Sequence, residues 1–350
     1  MPEPLLVVED VYAHFAVKGY GLVRAVDGVS LQVAAGEIVG LVGESGCGKT
    51  TIGRCITGEV TPRRGQVRLD GVSLGHRRSR QQRRAVQMVF QDPGTSLNPR
   101  TSVRQVLAEL LRVHDLVPRA GVERRCRELM GLVGLPARAL DGYAHQFSGG
   151  QRQRIAIARA LAVEPRLLVA DEPVSALDVS VQATILQLFD ELRERLGLAI
   201  LLVSHNLAVV RYLSDRIEVM YLGRIVESAA RDELFADPRA PYTRVLLEAA
   251  PRLSHVGRTP DPGLTGEPPS AVDVPAGCRF HPRCGRAEAR CAEDDPQLLP
   301  VDDVGGAGVD EGPTHLAACH FRSERHAVSA GRDALQATST DDTSSEGCSQ

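Results

Sequence analysis

A run of eight residues, Gly43-Glu44-Ser45-Gly46-Cys47-Gly48-Lys49-Thr50, is the first place in this 350-residue chain where residue types and spacing combine into chemistry. It fits the pattern G-x-x-x-x-G-K-S/T, directly after the apolar stretch 37–43 and before a helical stretch at 51–57. Such a loop turns backbone N–H groups toward an anion at a helix N-terminus, where the helix dipole adds to the attraction. Lys49 then reaches the outer phosphates of a nucleotide, and Thr50 ligates Mg2+. Only two lysines occur, Lys18 and Lys49, so a lysine at this position is informative. Cys47 needs no chemical role there because the backbone does the binding, yet its modification is expected to block nucleotide.

A second string, Leu167-Leu168-Val169-Ala170-Asp171-Glu172, ends an apolar run in adjacent carboxylates. By itself such a pair is as readily the solvated start of a loop. Behind a phosphate loop, the first carboxylate belongs to the Mg2+ shell and the second polarises an attacking water. A third string, Phe147-Ser148-Gly149-Gly150-Gln151-Arg152-Gln153-Arg154, places a serine and two glycines at the start of a helix. That is a second anion-binding terminus.

The third string resembles the signature of ATP-binding cassette proteins, and the motifs follow one another in that family's order over residues 5–250. The resemblance implies a Q-loop at Gln91, which contacts Mg2+ and joins the core to a helical insertion. It implies a D-loop at Ser175-Ala176-Leu177-Asp178 and a switch histidine at His205, closing the string 198–205. Glu172 becomes the general base, and His205 stabilises the γ-phosphate. Thr51 and Gln151 join the nucleotide contacts. Phe15 falls where the family stacks an aromatic on adenine, although Tyr12 or Tyr20 could substitute and Phe15 could simply pack in a β-sheet. Phe147 replaces the commoner leucine of the signature, a conservative hydrophobic change. Two cassettes are then expected to sandwich two ATP molecules, each between one chain's phosphate loop and the other chain's signature.

Two further stretches, 91–100 (QDPGTSLNPR) and 240–247 (APYTRVLL), resemble the ATPase subunits of oligopeptide and dipeptide importers, a branch that includes nickel uptake systems. Segment 94–112 is expected to touch the membrane permease. Cys278, Cys284, Cys291 and Cys319 form C-x5-C-x6-C-x27-C in a Pro/Gly-rich region with little apolar core of its own. Zinc favours closer cysteine pairs, and four thiolates also suit an iron–sulfur cluster. The same C-terminal pattern resembles that of peptide-importer ATPases, where a 4Fe–4S cluster is implied for some members. Zinc and unligated structural cysteines stay open as alternatives, and His281, His315 or His320 could replace a ligand. Cys55, Cys126 and Cys348 lack such clustering.

The elements that must position these groups are strand-length apolar runs at 37–43, 86–90, 166–172 and 198–205. Their continuous rather than alternating apolar character suits parallel strands covered on both faces. Helical patterns lie at 102–111, 121–133, 151–162 and 181–196. Ahead of the first buried run, 5–17 and 25–33 alternate as half-buried strands, 65–74 adds another, and 217–228 reads as a hairpin turning at Gly223. The expected fold class is α/β, and the resemblance implies a P-loop NTPase core of cassette type with an antiparallel β subdomain, a helical subdomain and a small cysteine-containing extension. The expected division is an ATPase domain at 1–254 with its helical subdomain at about 92–165, an extension at 255–322 and a disordered tail at 323–350.

Composition narrows the class. Hydrophobic residues make up 43% and charged residues 24%, near the globular average. A net charge of −3 gives no electrostatic case for nucleic acid. Residues 251–350 carry nine Arg against sixteen Asp and Glu, which leaves the first 250 residues at +4. The arginine run 76–84 lacks interleaved aromatics and reads as a solvated helix face. No apolar run reaches 18 residues and the N-terminus lacks a signal-peptide pattern, so the expectation is a peripheral protein on the cytoplasmic face of the membrane.

The expected function is ATP hydrolysis powering a peptide importer, with ATP, Mg2+ and a 4Fe–4S cluster as cofactors. The expected partners are a second cassette subunit, identical or paralogous, two permease subunits, and indirectly an extracytoplasmic binding protein. Nickel or another solute is the alternative cargo. A soluble cassette protein of DNA repair or translation is the alternative class, disfavoured by the short 92–145 insertion and the single cassette.

Overall fold

Alternate residues of the same short strands face two different apolar cores. β3 (Ile38–Val42), β7 (Leu167–Asp171) and β8 (Ala199–Ser204) are buried along their whole length. Ile38, Leu168, Ile200 and Leu202 pack into one cluster, with the helical insertion. Val39, Leu41, Leu167, Val169, Leu201 and Val203 pack into the other. A strand covered on both faces cannot afford polar alternation, which is why these runs read as continuously apolar. The computed structural model describes residues 4–92, 97–249, 269–301 and 315–324. Residues 1–3, 93–96, 250–268, 302–314 and 325–350 lie outside the described residues, and with them part of the stretch expected to touch the permease and most of the expected disordered tail.

Eight strands form the central sheet in the order β11-β12-β10-β9-β3-β8-β7-β6. Besides the three above, these are β6 (Val86–Val89), β9 (Arg216–Tyr221), β10 (Arg224–Ala230), β11 (Leu299–Pro300) and β12 (Leu316–Ala317). β3 runs parallel to β8 and β9, and β7 parallel to β6 and β8. The β9–β10 hairpin turns at Leu222-Gly223, both at positive φ, the expected place. A second sheet, β1 (Leu6–Val17), β2 (Gly21–Val33), β4 (Arg64–Leu69) and β5 (Val72–Ser73), is antiparallel in the order β2-β1-β4-β5. The expected strand 65–74 is a hairpin instead, because Asp70 and Gly71 both take positive φ, the conformation of a tight two-residue turn.

Several helices begin where a polar residue before the apolar pattern caps them. Ser102 and Gln105 form a reciprocal capping box on helix Val103–Val113, and Ser148 with Gln151 does the same for helix Gly149–Leu161. Helix Val122–Leu132 packs with both through Leu129, Met130, Leu107, Leu111 and Ile155, the expected helical insertion. Within the arginine run, helix Arg80–Ala85 buries no residue, as a solvated face should. Arg78 is the exception: buried, it donates to Cys55 O (3.0 Å) and Ile56 O (2.6 Å), the free carbonyls ending helix Lys49–Thr57.

The extension does not stand apart as a separate module. β12 pairs antiparallel with β10 through Glu227↔Ala317 and Ser228↔Leu316, and β11 continues the ladder. Among the described residues its own apolar cluster is Cys291, Cys319 and Phe321 with Cys278 against it, while Phe280 belongs to the large core. So small a cluster cannot offset the cost of ordering its chain, and the segment completes itself on the edge of the nucleotide domain.

Candidate active site

The phosphate loop leaves the C-terminal end of β3 and enters helix Lys49–Thr57 through Gly48, whose φ of 111° serves as its N-cap. A Cβ on Gly48 would sit 2.0 Å from Ala25 O, and one on Gly43 2.1 Å from Met220 O, so at these two positions the glycines are steric requirements. Ser45 and Gly46 are exposed and Cys47 is buried. Lys49 is buried, and its ammonium donates to Gly43 O (2.9 Å) and Glu44 O (2.8 Å), arching back over the loop. Burial holds the Cys47 thiol well above its usual range, countered in part by Lys49, whose Nζ lies 3.7 Å from the sulfur.

The helix start and the carboxylates meet at the ends of β3 and β7, parallel strands with β8 between them. Thr50 Oγ1 donates to Asp171 Oδ1 at 3.1 Å, and Thr51 follows in the first turn. Burial raises the Asp171 pKa, with Glu172 adding to the rise and the Thr50 hydrogen bond opposing it. A carboxylate so placed gains from a cation nearby.

Glu172 gathers two of the expected partners. Its Oε1 lies 2.7 Å from His205 Nδ1, and its Oε2 accepts from Gln91 Nε2 at 3.1 Å. Its φ of 47° is a left-handed conformation that costs a non-glycine residue about 1–2 kcal/mol. The neighbouring strand holds it there: Glu172 N–H donates to Val203 O at 2.8 Å, and Ser175 donates to Glu172 O through N–H (3.3 Å) and Oγ (3.1 Å). The backbone turn thus aims the carboxylate between Gln91 and His205.

The remaining expected residues are not drawn into this group. Ser148 and Gly149 are exposed at the start of their helix, and the side chains of Ser148 and Gln151 hydrogen-bond each other's backbone. A Cβ on Gly150 would meet Val181 Cγ1 at 2.4 Å, so this glycine is needed for close packing on helix Val179–Leu196. Asp178 is the exposed N-cap of that helix and makes no side-chain cap. Phe15 lies in β1 opposite Val23, 39% exposed.

Cys278, Cys284, Cys291 and Cys319 converge on one cavity of about 980 Å³ between the two sheets and the extension. Cys278 N–H donates to Cys291 O at 2.8 Å. Burial pushes the Cys278 thiol up to about 11, and the Cys284 and Cys319 thiols also rise through burial. The donor chemistry suits a metal cluster, but among the described residues no group of three or more His, Cys, Asp or Glu is arranged to hold a metal ion. The expected ligand shell is therefore not formed in this arrangement. The three candidate substitute histidines are engaged elsewhere: His281 with Cys278 O (2.9 Å), His315 with Glu227 (2.7 Å) and Glu233 (2.9 Å), and His320 with Asp294 O (3.0 Å).

Several contacts on and beside the loop were not anticipated from the sequence. Tyr242 Oη accepts from Glu44 N–H at 2.9 Å, although Tyr242 was singled out only as part of a branch marker. Asp27 pairs with Arg279 and with His14 Nε2 (2.7 Å), and Arg283 pairs with Glu44. The available signal was two arginines, four residues apart, between Cys278 and Cys284.

Residues 26–175 match the family described as ABC transporter, and residues 226–291 match the oligopeptide/dipeptide transporter C-terminal region. The oligopeptide transport ATP-binding protein AppF of Bacillus subtilis is 41% identical over 333 residues, covering 92% of this chain and 98% of its own length. The di/tripeptide transport ATP-binding protein DppF of Pseudomonas aeruginosa is 43% identical, covering 86% of this chain and 95% of its own. Among solved structures, CbiO1 of Clostridium perfringens, part of the ABC transporter complex CbiONQ, superposes with a TM-score of 0.60 at 27% identity. That alignment covers 73% of this chain and 98% of CbiO1.

Proposed function

The chain belongs to the ATP-binding cassette family of transporter ATPases, and from that premise we propose that it hydrolyses ATP to drive uptake of peptides through a membrane permease. The observation that carries the reading is the joining of Gln91, Glu172 and His205 beside the Thr50–Asp171 pair, all at the carboxyl ends of parallel strands. This is where a doubly covered parallel sheet presents ligands.

In this reading the loop N–H groups and Lys49 hold the β- and γ-phosphates, and Thr50 and Asp171, with Gln91, would hold Mg2+. Bound Mg2+ would neutralise charge on the phosphate oxygens. Glu172 orients a water and takes its proton as the water oxygen bonds to the γ-phosphorus and the bond to the β–γ bridging oxygen breaks. His205 fixes the Glu172 carboxylate and faces the γ-phosphate. Ser148, Gly149, Gly150 and Gln151 act on a nucleotide held by a second cassette, with Asp178 at the junction, which accounts for the exposure of Ser148, Gly149, Gln151 and Asp178 in a single chain. Phe15 stacks on adenine.

Residues 226–291, a stretch that runs from β10 into the extension, match the peptide-transporter C-terminal region, which supports peptides as cargo. The 4Fe–4S reading of the extension's cysteines rests on donor chemistry and on the resemblance of the cysteine pattern, with no ligand shell formed among the described residues. No described helix is long and apolar enough to cross a membrane, in keeping with a peripheral ATPase whose permease is a separate chain. The test is steady-state hydrolysis by the purified chain and by its Glu172→Gln variant. The variant should bind ATP, associate as an ATP-dependent dimer and lose turnover; unchanged turnover would remove Glu172 from the chemistry.

A further inference from the structure

Glu44, the second residue of the phosphate loop, has every polar group engaged. Its N–H donates to Tyr242 Oη (2.9 Å), and its carbonyl accepts from Lys49 Nζ (2.8 Å) and Cys47 N–H (3.3 Å). Its carboxylate receives both prongs of the Arg283 guanidinium, Nη1 to Oε2 and Nη2 to Oε1, each at 3.0 Å. Arg283 is buried, and Nη1 also reaches Tyr221 Oη at 3.3 Å. Tyr221, Tyr242 and Phe280 stack around this pair with ring centroids 4.5–5.4 Å apart. Two-pronged pairing to a carboxylate fixes direction as well as charge.

The position of this pair gives it a function beyond packing. A carboxylate at the start of a phosphate-binding loop repels the phosphates it must admit, unless a cation neutralises it. Arg283 is that cation, supplied from 239 residues away in sequence. Resting on the ATPase reading above, we propose that Arg283 is a positioning residue for nucleotide binding, through which the extension holds the phosphate loop open to the nucleotide and cancels its one carboxylate. Arg279 is its counterpart without that role: it ties the same segment to Asp27 in β2 and to Leu222 O.

The experiment uses the full-length chain, with mant-ATP titration and steady-state hydrolysis read side by side and folding checked by melting. Arg283→Gln should weaken mant-ATP binding and raise KM about tenfold while kcat at saturating ATP stays within about twofold. Adding Glu44→Gln should make binding no worse than Arg283→Gln alone, because the uncompensated carboxylate goes with it. Arg279→Gln, which loosens the same segment without touching the loop, should leave affinity within about twofold. Unchanged KM in folded Arg283→Gln, independent losses in the double variant, or equal losses in Arg279→Gln would each overturn the proposal. Should Arg283→Gln fail to fold, Arg283→Lys keeps the charge without the fork and should weaken binding about threefold; unaltered binding would overturn it. A wild-type chain that neither binds mant-ATP nor hydrolyses ATP would instead sink the ATPase reading.

Discussion

β3, β7 and β8 are buried from end to end, whereas β11 and β12 are two residues each, with Leu299 43% exposed. Both sets belong to one sheet. The first is held by apolar area on two faces, a non-directional force proportional to the surface removed from water. The second is held by a few directional contacts: Arg279 on Asp27, Arg283 on Glu44, His315 on Glu227, and a knot of three aromatics. The two regions should therefore respond to different insults, the core to lost volume and the extension to lost partners.

The largest effect belongs to the catalytic edge. Glu172→Gln should lower turnover about 10²–10⁴-fold with melting little changed, measured by phosphate release; a fall in melting temperature matching the lost activity would make Glu172 a structural residue. Next comes the core. Leu201→Ala in β8, fully buried, should cost about 2–5 kcal/mol of stability in denaturant titration and melt both regions together. Selective loss of the extension in that variant would break the comparison.

On the extension side, Asp27→Asn leaves the buried Arg279 without its carboxylate and should cost about 3–5 kcal/mol. Limited proteolysis should then cut near 269–301 before the core opens. The smallest effect is a pH dependence at His315. Burial works to lower its pKa, but the hydrogen bond and charge of Glu227, and of Glu233, outweigh it and hold the imidazole above its ordinary value. A raised folded pKa means the stabilisation is complete below the unfolded value of about 6.5 and fades as pH rises through the folded one. The melting gap between wild type and His315→Gln should therefore be widest near about pH 6 and shrink toward about pH 8.5. A gap that widens with pH would reverse the sign and discard the charged imidazole.

Much of the core was legible because its signals are local. Continuous apolar runs marked the parallel strands, and Ser102, Ser148 and Gly223 marked helix starts and a turn within a residue or two. The hairpin at Asp70-Gly71 was misread as one strand although its turn residues were in plain view. Arg78 looked like one member of a solvated run, since nothing nearby in sequence shows that helix Lys49–Thr57 ends against it. The expected division places the extension after residue 254 as a part of its own, yet its strands belong to the main sheet, because a ladder to β10 made across some ninety residues leaves no local pattern.

Each phosphate-handling motif was determined by the sequence alone, because its conformation is set by its own glycines, cap and flanking strand over a span of fewer than about ten residues. Only the tertiary structure decided which motifs meet. It put Gln91, Glu172 and His205 within hydrogen-bond reach by aligning the ends of parallel strands. It brought four cysteines to one cavity without assembling a metal shell among the described residues. It set Arg283 on Glu44 across 239 residues. Such pairings depend on how two cores stack across one sheet, and no local pattern of residues encodes that.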